Sequence, residues 1–255
     1  MALLARIPAR IGFHDGWPFF YTEVRRHPPD GHEVDRLLAL AEQRSAAYAP
    51  SLHPTAEDER AAAAALMAGE ITDGAPFVAV APGSIWGSKR WPHYGELARR
   101  LAAHTPVVVV GGPEDAGLGE EILRAVEGGK GRSKAVNACG KLTLRQSAAL
   151  IARARVLVTN DSAPLHVATA MGTPIVAVFG PTLPEFGFGP IRSGDVALGV
   201  AGLDCRPCSR HGPPRCPLGH HRCMRDLAPE VVAAAIDEMR ETRDIGEASA
   251  IRRRD

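Results

Sequence analysis

The sequence lacks an excess of either charge. Its 255 residues include 30 Lys and Arg against 29 Asp and Glu, a formal net charge of +1. Because proteins that bind nucleic acid usually carry a clear basic excess, we predict no nucleic-acid partner. Long apolar runs are also lacking: the run at residues 107–110 is far shorter than the ~20 residues that cross a bilayer. We therefore expect no integral membrane protein.

Cysteine is scarce, with five residues, four of them between Cys205 and Cys223. This number and grouping do not make a disulfide framework, so we predict a reduced, cytoplasmic setting. The apolar start of the chain is interrupted by Arg6 and Pro8 and has no charged segment ahead of it. It is therefore not predicted to be a secretory signal.

Three motifs of nucleotide and metal chemistry are absent from the sequence. No G-x-x-x-x-G-K-[ST] occurs, which excludes a Walker A loop. No G-x-G-x-x-G follows the first predicted strand, which disfavours an oxidoreductase that binds a dinucleotide. No Asp-x-Asp follows a strand, so no divalent metal is implied and we predict no cofactor.

What the sequence does contain is a series of short apolar runs separated by segments of helical pattern. Such runs are typical of strands buried on both faces. Alternation of strand and helix indicates a parallel sheet with right-handed crossovers, and ligands of such sheets bind beyond the carboxyl ends of the strands. We predict an α/β fold with a doubly wound parallel sheet. The predicted strands are 77–81, 106–110, 156–159 and 174–179, and the predicted helices are 31–48, 57–65, 92–104, 114–126, 143–153, 162–171 and 229–240.

The loop after the first predicted strand has the composition of a phosphate site. Gly83 permits a tight turn, Ser84 offers a hydroxyl, and Lys89 with Arg90 supplies positive charge ahead of a helix that begins near Pro92. Backbone N–H groups and a lysine near a helix N-terminus favour phosphate by simple electrostatics. An ordinary turn with a solvated basic pair fits the same residues about as well.

Polar residues also follow the other predicted strands. Asp161 and Ser162 are preferred helix caps, and His166 lies about one turn into the helix. A helix cap followed by a partly buried histidine explains these residues equally well. However, Asp161 and His166 would both face the crevice near Lys89. After the second strand, Glu114 or Asp115 holds the position at which nucleotide-binding folds often bond a ribose hydroxyl, although acids at a helix start would look the same. The 179–182 turn also has a hydroxyl, and a purely structural role fits it at least as well.

Several of these motifs, in order, resemble those of the glycosyltransferase family 9 heptosyltransferases. The resemblance covers residues 77–232, and residues 216–224 resemble the heptosyltransferase II branch in particular. The motifs that carry it are 81–84, 89–92, 160–166, 172–174, 179–182 and 216–224.

The resemblance implies a GT-B architecture, in which two Rossmann-like domains face a cleft and the C-terminal domain holds the ADP-heptose donor. It also implies a set of donor-binding residues. Its members are Gly83, Ser84 and Lys89 at the phosphates, Asp115 or Glu114 at the ribose, Leu142 at the adenine, and Asp161, Ser162, Ala163 and His166 at the pyrophosphate and heptose. The family more often has Gly at position 163, and a methyl group there tightens the space beside the ligand.

The resemblance also implies a division of the chain. Residues 1–74 are predicted to be a remnant of an acceptor domain with a linker, residues 75–227 the donor domain, and residues 228–255 a C-terminal helix and tail. The carboxylate expected to act as general base belongs to the part of the acceptor domain that precedes this remnant in the family, so no catalytic residue is assigned.

The cysteine cluster offers ligand types for zinc. Cys205 and Cys208 have the spacing of a zinc finger pair, whereas Cys216 and Cys223 do not. Four reduced thiols in a Pro/Gly-rich loop are the more frequent outcome of such a pattern. A zinc ion held by all four would be structural, because no coordination position would remain open.

Two functions of different classes are consistent with these features. The first is a metal-independent, inverting heptosyltransferase that moves a heptose from ADP-heptose to a lipid-linked lipopolysaccharide core acceptor, in the cytoplasm or peripherally at the inner membrane. The second is a nucleotide-sugar binding module without turnover, because most of the acceptor half is missing. Binding of NAD(H), which would indicate an oxidoreductase, is disfavoured by the missing glycine motif.

Overall fold

The computed structural model describes residues 3–41, 50–72, 74–129 and 134–239. It divides into two compact units. The first comprises the described residues up to Pro50 together with Glu185–Gly189, and the second comprises Ser51–Pro184 and the described residues from Pro190 onward.

The first unit contains two short parallel strands and one helix. Strand β1 is Ile11–Phe13, β2 is Glu23–Arg25 and helix α1 is Glu33–Leu40. Helix α1 begins two residues later than the sequence predicts, and residues 42–49 of the predicted helix lie outside the described residues. Most of the exposed large apolar side chains of the described chain, Trp17 and Phe19 among them, belong to this unit.

The second unit is built on a six-stranded sheet in which every pair of neighbours is parallel. The spatial order is β5-β4-β3-β6-β7-β8, which is the order of a doubly wound sheet. The four predicted strands and the α/β class are therefore confirmed. The strands are β3 (Val78–Ala81), β4 (Val107–Val109), β5 (Ala135–Asn137), β6 (Val156–Asn160), β7 (Ile175–Val178) and β8 (Val196–Leu198).

Helices cover both faces of this sheet. They are α2 (Ala56–Ala68), α3 (Tyr94–Leu101), α4 (Ala116–Glu127), α5 (Leu144–Ala152), α6 (Ala163–Met171) and α7 (Arg222–Arg225). Residues 229–239, here α8, are also helical, in agreement with the predicted C-terminal helix. Apolar side chains of α3, α4 and α8 pack with one face of the sheet, whereas those of α2, α5 and α6 pack with the other.

The alternation of side chains along β3 shows why these runs are continuously apolar. Val78 and Val80 enter one core cluster, and Ala79 and Ala81 enter the other. All four are buried because helices cover both faces, so no position along the strand meets water.

Helix α2 lies in the second unit, where Ala62 and Leu66 join the core cluster of one sheet face. Its first turn is fixed by a capping box between Thr55 and Asp58. The predicted division at residues 74 and 227 remains a prediction about the family's domains. Among the described residues, we find no helix whose length and apolar character would let it cross a bilayer.

The sheet order places a topological switch point between β3 and β6. From these two central strands the chain winds outward in opposite directions, toward β5 on one side and β8 on the other. Loops leaving the carboxyl ends of β3 and β6 therefore diverge and leave a crevice, which is the usual ligand site of this architecture.

Candidate functional site

Asn160, the last residue of β6, ties together the elements around the crevice. Its side chain is fully buried, and its Nδ2 donates to the carbonyl oxygens of Pro82 and Gly83 at 2.8 and 3.3 Å. Its Oδ1 accepts from the backbone N–H of Trp91 and from the hydroxyl of Tyr94, both at 3.2 Å. Burial raises the pKa of Tyr94 well above its usual value, so this hydroxyl stays protonated and remains a donor. The loop after β3 is thereby fixed to the end of β6 at both of its ends.

Asp161 and Lys89 form a buried ion pair at the switch point. The Lys89 ammonium lies 2.6 Å from Asp161 Oδ2, and each side chain is about 10% exposed. The hydroxyl of Thr182, in the loop after β7, donates to the same oxygen at 2.7 Å. Three loops that leave adjacent strands β3, β6 and β7 therefore converge on one carboxylate.

Asp115 lies at the end of β4 and is buried between glycines. A Cβ on Gly83 would lie 2.3 Å from its carboxylate atoms, and one on Gly111 would lie 2.7 Å from its Oδ2. The Gly112 N–H donates to Oδ2 at 3.1 Å. The Asp115 carboxylate thus occupies the space that a side chain on residue 83 would need, which is a reason for the glycine besides the tight turn expected from the sequence.

Burial dominates the electrostatics of Asp115. It raises the pKa of this carboxyl above its usual value, and the Gly112 N–H and the positive charge of Arg90 offset only part of the rise. Among the described residues, Asp115 forms no ion pair, in contrast to Asp161, which is paired with Lys89. A hydroxyl of a ligand could give Asp115 a hydrogen bond besides the one from Gly112, which would favour its ionised form.

The loop between β3 and α3 folds back on itself. The Nε of Arg90 donates to the carbonyl oxygen of Ser84 at 2.9 Å, and the Ser84 hydroxyl accepts from the N–H of Trp86 at 3.3 Å. Ser88 donates to the carbonyl oxygen of Pro213. Ser84 and Lys89, the two side chains predicted to bind phosphate, therefore belong to one loop that internal hydrogen bonds and a contact with Pro213 hold in place.

Helix α6 begins directly beyond β6, so its amino end lies at the same edge of the sheet. Ser162 is the N-cap residue, and its hydroxyl lies 3.4 Å from that of Thr159 rather than on a helix N–H. Ala163 is the first helical residue and is exposed, as is His166 on the first turn. The partly buried histidine that the sequence allowed is not observed. The positive end of the helix dipole therefore faces the crevice beside Asp161.

Leu142 follows β5 at the far side of the sheet edge and is half-buried against the core cluster that contains Phe77. The predicted site residues therefore lie along the carboxyl edge in the order Leu142, Asp115, the β3 loop and Asp161. These residues follow four adjacent strands, so at the usual strand spacing they span about 14 Å of this edge. Such an edge suits an elongated ligand.

The four cysteines predicted as zinc ligands are free thiols. Cys205, Cys208 and Cys216 lie between β8 and α7, and Cys223 lies in α7. Burial raises the pKa of Cys223 to about 11, with a smaller contribution from Cys208. Within the four described ranges, no group of three or more His, Cys, Asp or Glu side chains is arranged to hold a metal ion. The zinc site therefore remains a prediction from spacing, without support from the geometry.

The cysteine segment nevertheless contacts the site. Arg206 donates from Nη2 to the carbonyl oxygens of Phe179 and Thr182, both at 3.1 Å. The His221 ring lies 2.7 Å from the carbonyl oxygen of Ser88. This segment therefore holds the loop after β7 and the loop after β3 from outside.

Comparisons with known proteins agree with this architecture. The family model described as glycosyltransferase family 9 (heptosyltransferase) matches residues 1–216. Lipopolysaccharide heptosyltransferase 2 of Salmonella typhimurium is 32% identical over 221 residues, which cover 75% of this chain and 58% of that protein. The chain spans about half the length of the curated relatives that it matches.

Two solved structures share the fold. The E. coli ADP-heptose lipopolysaccharide heptosyltransferase II has a TM-score of 0.74 and 25% identity, over 95% of this chain and 73% of that one. A glycosyltransferase family 9 protein of Veillonella parvula has a TM-score of 0.66 and 27% identity, over 77% of this chain and 57% of that one.

Proposed function

Because this chain belongs to glycosyltransferase family 9, we propose that its second unit binds the ADP-heptose donor of a lipopolysaccharide heptosyltransferase. The observation that carries the proposal is the convergence of Lys89, Asp161 and Thr182 at the switch point. Asp115 lies in the turn after β4, two strands along the sheet edge from Asp161. A cation beside one carboxylate, and a second carboxylate that has no ion pair within the described residues, fit a diphosphate linked to a ribose on one side and a sugar on the other.

In this proposal the donor lies along the edge of the sheet. Its adenine lies beside Leu142, a ribose hydroxyl donates to Asp115, and the diphosphate lies over Ser84 and Lys89 at the amino end of α6. The heptose then lies beside Asp161, with Ser162, Ala163 and His166 around it. The order of adenine, ribose, diphosphate and heptose thus matches the order of the loops after β5, β4, β3 and β6 along the sheet edge.

Positive charge at the diphosphate is the chemical contribution of this unit. As the bond from heptose to diphosphate breaks, negative charge grows on the leaving ADP. The dipole of α6 stabilises that charge from a fixed position, which is the kind of preorganised electrostatics that lowers a barrier, and Lys89 adds a positive charge when it contacts a phosphate. The acceptor hydroxyl attacks from the opposite face with inversion, and a carboxylate from an acceptor domain takes its proton.

Binding without turnover is the second candidate. It is supported by the small first unit, whose described residues form a two-stranded sheet, whereas a Rossmann-like domain needs more strands. In that case this chain holds the donor without transferring its heptose.

Calorimetric titration of the purified chain with ADP-heptose, alongside a transfer assay on a lipopolysaccharide core acceptor, tests both candidates. UDP-glucose and NAD⁺ serve as control ligands. Binding with transfer supports the enzyme, and binding without transfer supports the module. If ADP-heptose binds no better than the controls, both proposals are wrong.

A further inference from the structure

The carboxylate of Asp161 receives two hydrogen bonds on one oxygen. In the part of the chain that the structure describes, these donors are the Lys89 ammonium at 2.6 Å and the Thr182 hydroxyl at 2.7 Å. Thr182 is 1% exposed and Asp161 is 9% exposed. Water therefore has little access to this oxygen, and the two protein donors largely determine its environment.

Lys89 faces two competing partners once a diphosphate is bound. A lysine in a loop before a helix is a common phosphate ligand and acts as a point charge, so a phosphate oxygen attracts the same ammonium that now contacts Asp161. A buried carboxylate that loses its only donor is strongly disfavoured. Asp161 can therefore release Lys89 at low cost only if another group continues to donate to it.

Thr182 is held in place independently of Lys89. Its backbone carbonyl accepts from Arg206 Nη2 at 3.1 Å, and the neighbouring Pro181 carbonyl accepts from the Cys208 N–H at 2.9 Å. Both contacts come from the segment beyond β8. The hydroxyl consequently keeps its position when Lys89 moves.

We propose that Thr182 is a positioning residue, whose hydroxyl holds the Asp161 carboxylate oriented toward the sugar while Lys89 moves to a phosphate of the bound nucleotide. This inference rests on the proposed donor site. The sequence of the turn after β7 fits a purely structural role and does not predict this one. The other oxygen of Asp161, Oδ1, is then available to accept from a sugar hydroxyl.

The test compares ADP, whose phosphates attract Lys89 away from Asp161, with adenosine, which has no phosphate. Thr182→Val keeps the shape of the side chain and removes the donor, and Thr182→Ser restores the hydroxyl. Thr173→Val is the matched control, because Thr173 is also buried but donates to the Ile151 carbonyl oxygen, before the amino end of β7. Affinities for ADP are measured by calorimetry, and affinities for adenosine by NMR titration.

For Thr182→Val we expect the Kd for ADP to rise about tenfold, as for loss of a hydrogen bond to a charged group. The Kd for adenosine should stay within about twofold, because adenosine has no phosphate to attract Lys89, and Thr182→Ser should bind ADP nearly as the parent does. If Thr182 served folding alone, Thr182→Val would weaken the binding of ADP and of adenosine to the same extent. Thr173→Val should change neither affinity, or both equally.

Three results overturn the inference. If Thr182→Val binds ADP as tightly as the parent, the hydroxyl has no role in binding. If Thr182→Val loses affinity for ADP and adenosine equally, Thr182 is a purely structural residue. If Thr182→Ser binds ADP as weakly as Thr182→Val, loss of the hydrogen bond is not the cause. If Thr182→Val does not fold, Thr182→Ala gives the same comparison. If the parent chain binds neither ligand, the proposed function fails first, and that outcome is distinct from the other three.

Discussion

At the scale of single residues, Lys89 and Asp161 contribute to stability as well as to ligand binding. The sequence alone predicts that replacing either one weakens donor binding and leaves the fold intact. The 2.6 Å contact between side chains that are about 10% exposed changes this expectation, because removing one partner leaves a buried charge.

Lys89→Ala is therefore expected to lower the free energy of unfolding by about 2 kcal/mol, because Asp161 loses its counter-charge but keeps the hydrogen bond from Thr182. The double variant Lys89→Met, Asp161→Leu should cost clearly less than the sum of the single replacements, since it removes both charges together. Urea unfolding of the ligand-free proteins measures each value. Costs that simply add, or a single replacement that costs under about 0.5 kcal/mol, would contradict the buried pair.

Unlike Lys89 and Asp161, Asp115 is expected to lower the stability of the ligand-free chain at pH 7 while it contributes to ligand binding. Folding raises the pKa of this carboxyl, chiefly by burial, so the folded chain holds the proton more tightly than the unfolded chain does. The stabilising effect of that proton is complete below the ordinary pKa of 3.8 and is lost as the pH rises through the folded pKa. At pH 7 the ionised carboxylate consequently reduces stability.

Asp115→Asn is expected to raise the melting temperature of the ligand-free chain at pH 7 by about 2 °C and to weaken ADP binding. The gain over the parent should shrink as the pH is lowered toward 4, because the parent then becomes protonated. Thermal unfolding at several pH values and calorimetry with ADP measure the two effects. A melting temperature that falls at pH 7 would show that burial of the charge is not the dominant effect.

The site residues that could be predicted from the sequence lie in the loops that follow strands. Lys89, Asp115 and Asp161 are predictable because the carboxyl ends of parallel strands meet at one edge. The proposed role of Thr182 is not predictable, since its partner lies 21 residues away on another loop. The role of Asn160 is not predictable for a similar reason, because its hydrogen bonds reach back 66 to 78 residues.

At the scale of secondary structure, apolar content decided which strands were predictable. β3, β4, β6 and β7 are buried in the middle of the sheet. β5 and β8 have three residues each, lie at the two edges and are only partly buried, so their side chains show no distinct pattern. Both ends of α2 to α6 agree with the prediction to within about three residues, because caps such as Thr143 are visible in sequence. The end predicted for the first helix, at residue 48, lies outside the described residues, and the short helix α7 is not among the predicted helices.

Asn160 joins β6, the β3 loop and α3, and its removal tests that role. Asn160→Ala is expected to cost about 3 kcal/mol of stability, because several buried backbone and side-chain groups lose their partner. Amide hydrogen exchange of residues 82–94 should become faster, most clearly at the N–H of Trp91, which donates to Asn160. Exchange in α5, outside this network, serves as the internal control. Unchanged exchange at residues 82–94 would show that the loop is braced by other contacts.

At the scale of the whole molecule, the predicted binding residues all belong to the second unit. ADP at 100 times its Kd should stabilise the chain by about 2.7 kcal/mol. Protection from hydrogen exchange should appear in the loops after β3, β4 and β6 and should be absent from residues 3–41. Protection centred on the first unit would contradict the placement of the donor.

A crystal structure of the chain with bound ADP would show where the donor lies and in which direction. We expect adenine beside Leu142, a ribose hydroxyl on Asp115, and the diphosphate at Ser84, Lys89 and the amino end of α6. ADP bound away from the carboxyl edge of the sheet, or in the reverse direction with its ribose on Asp161, would contradict this placement of the donor.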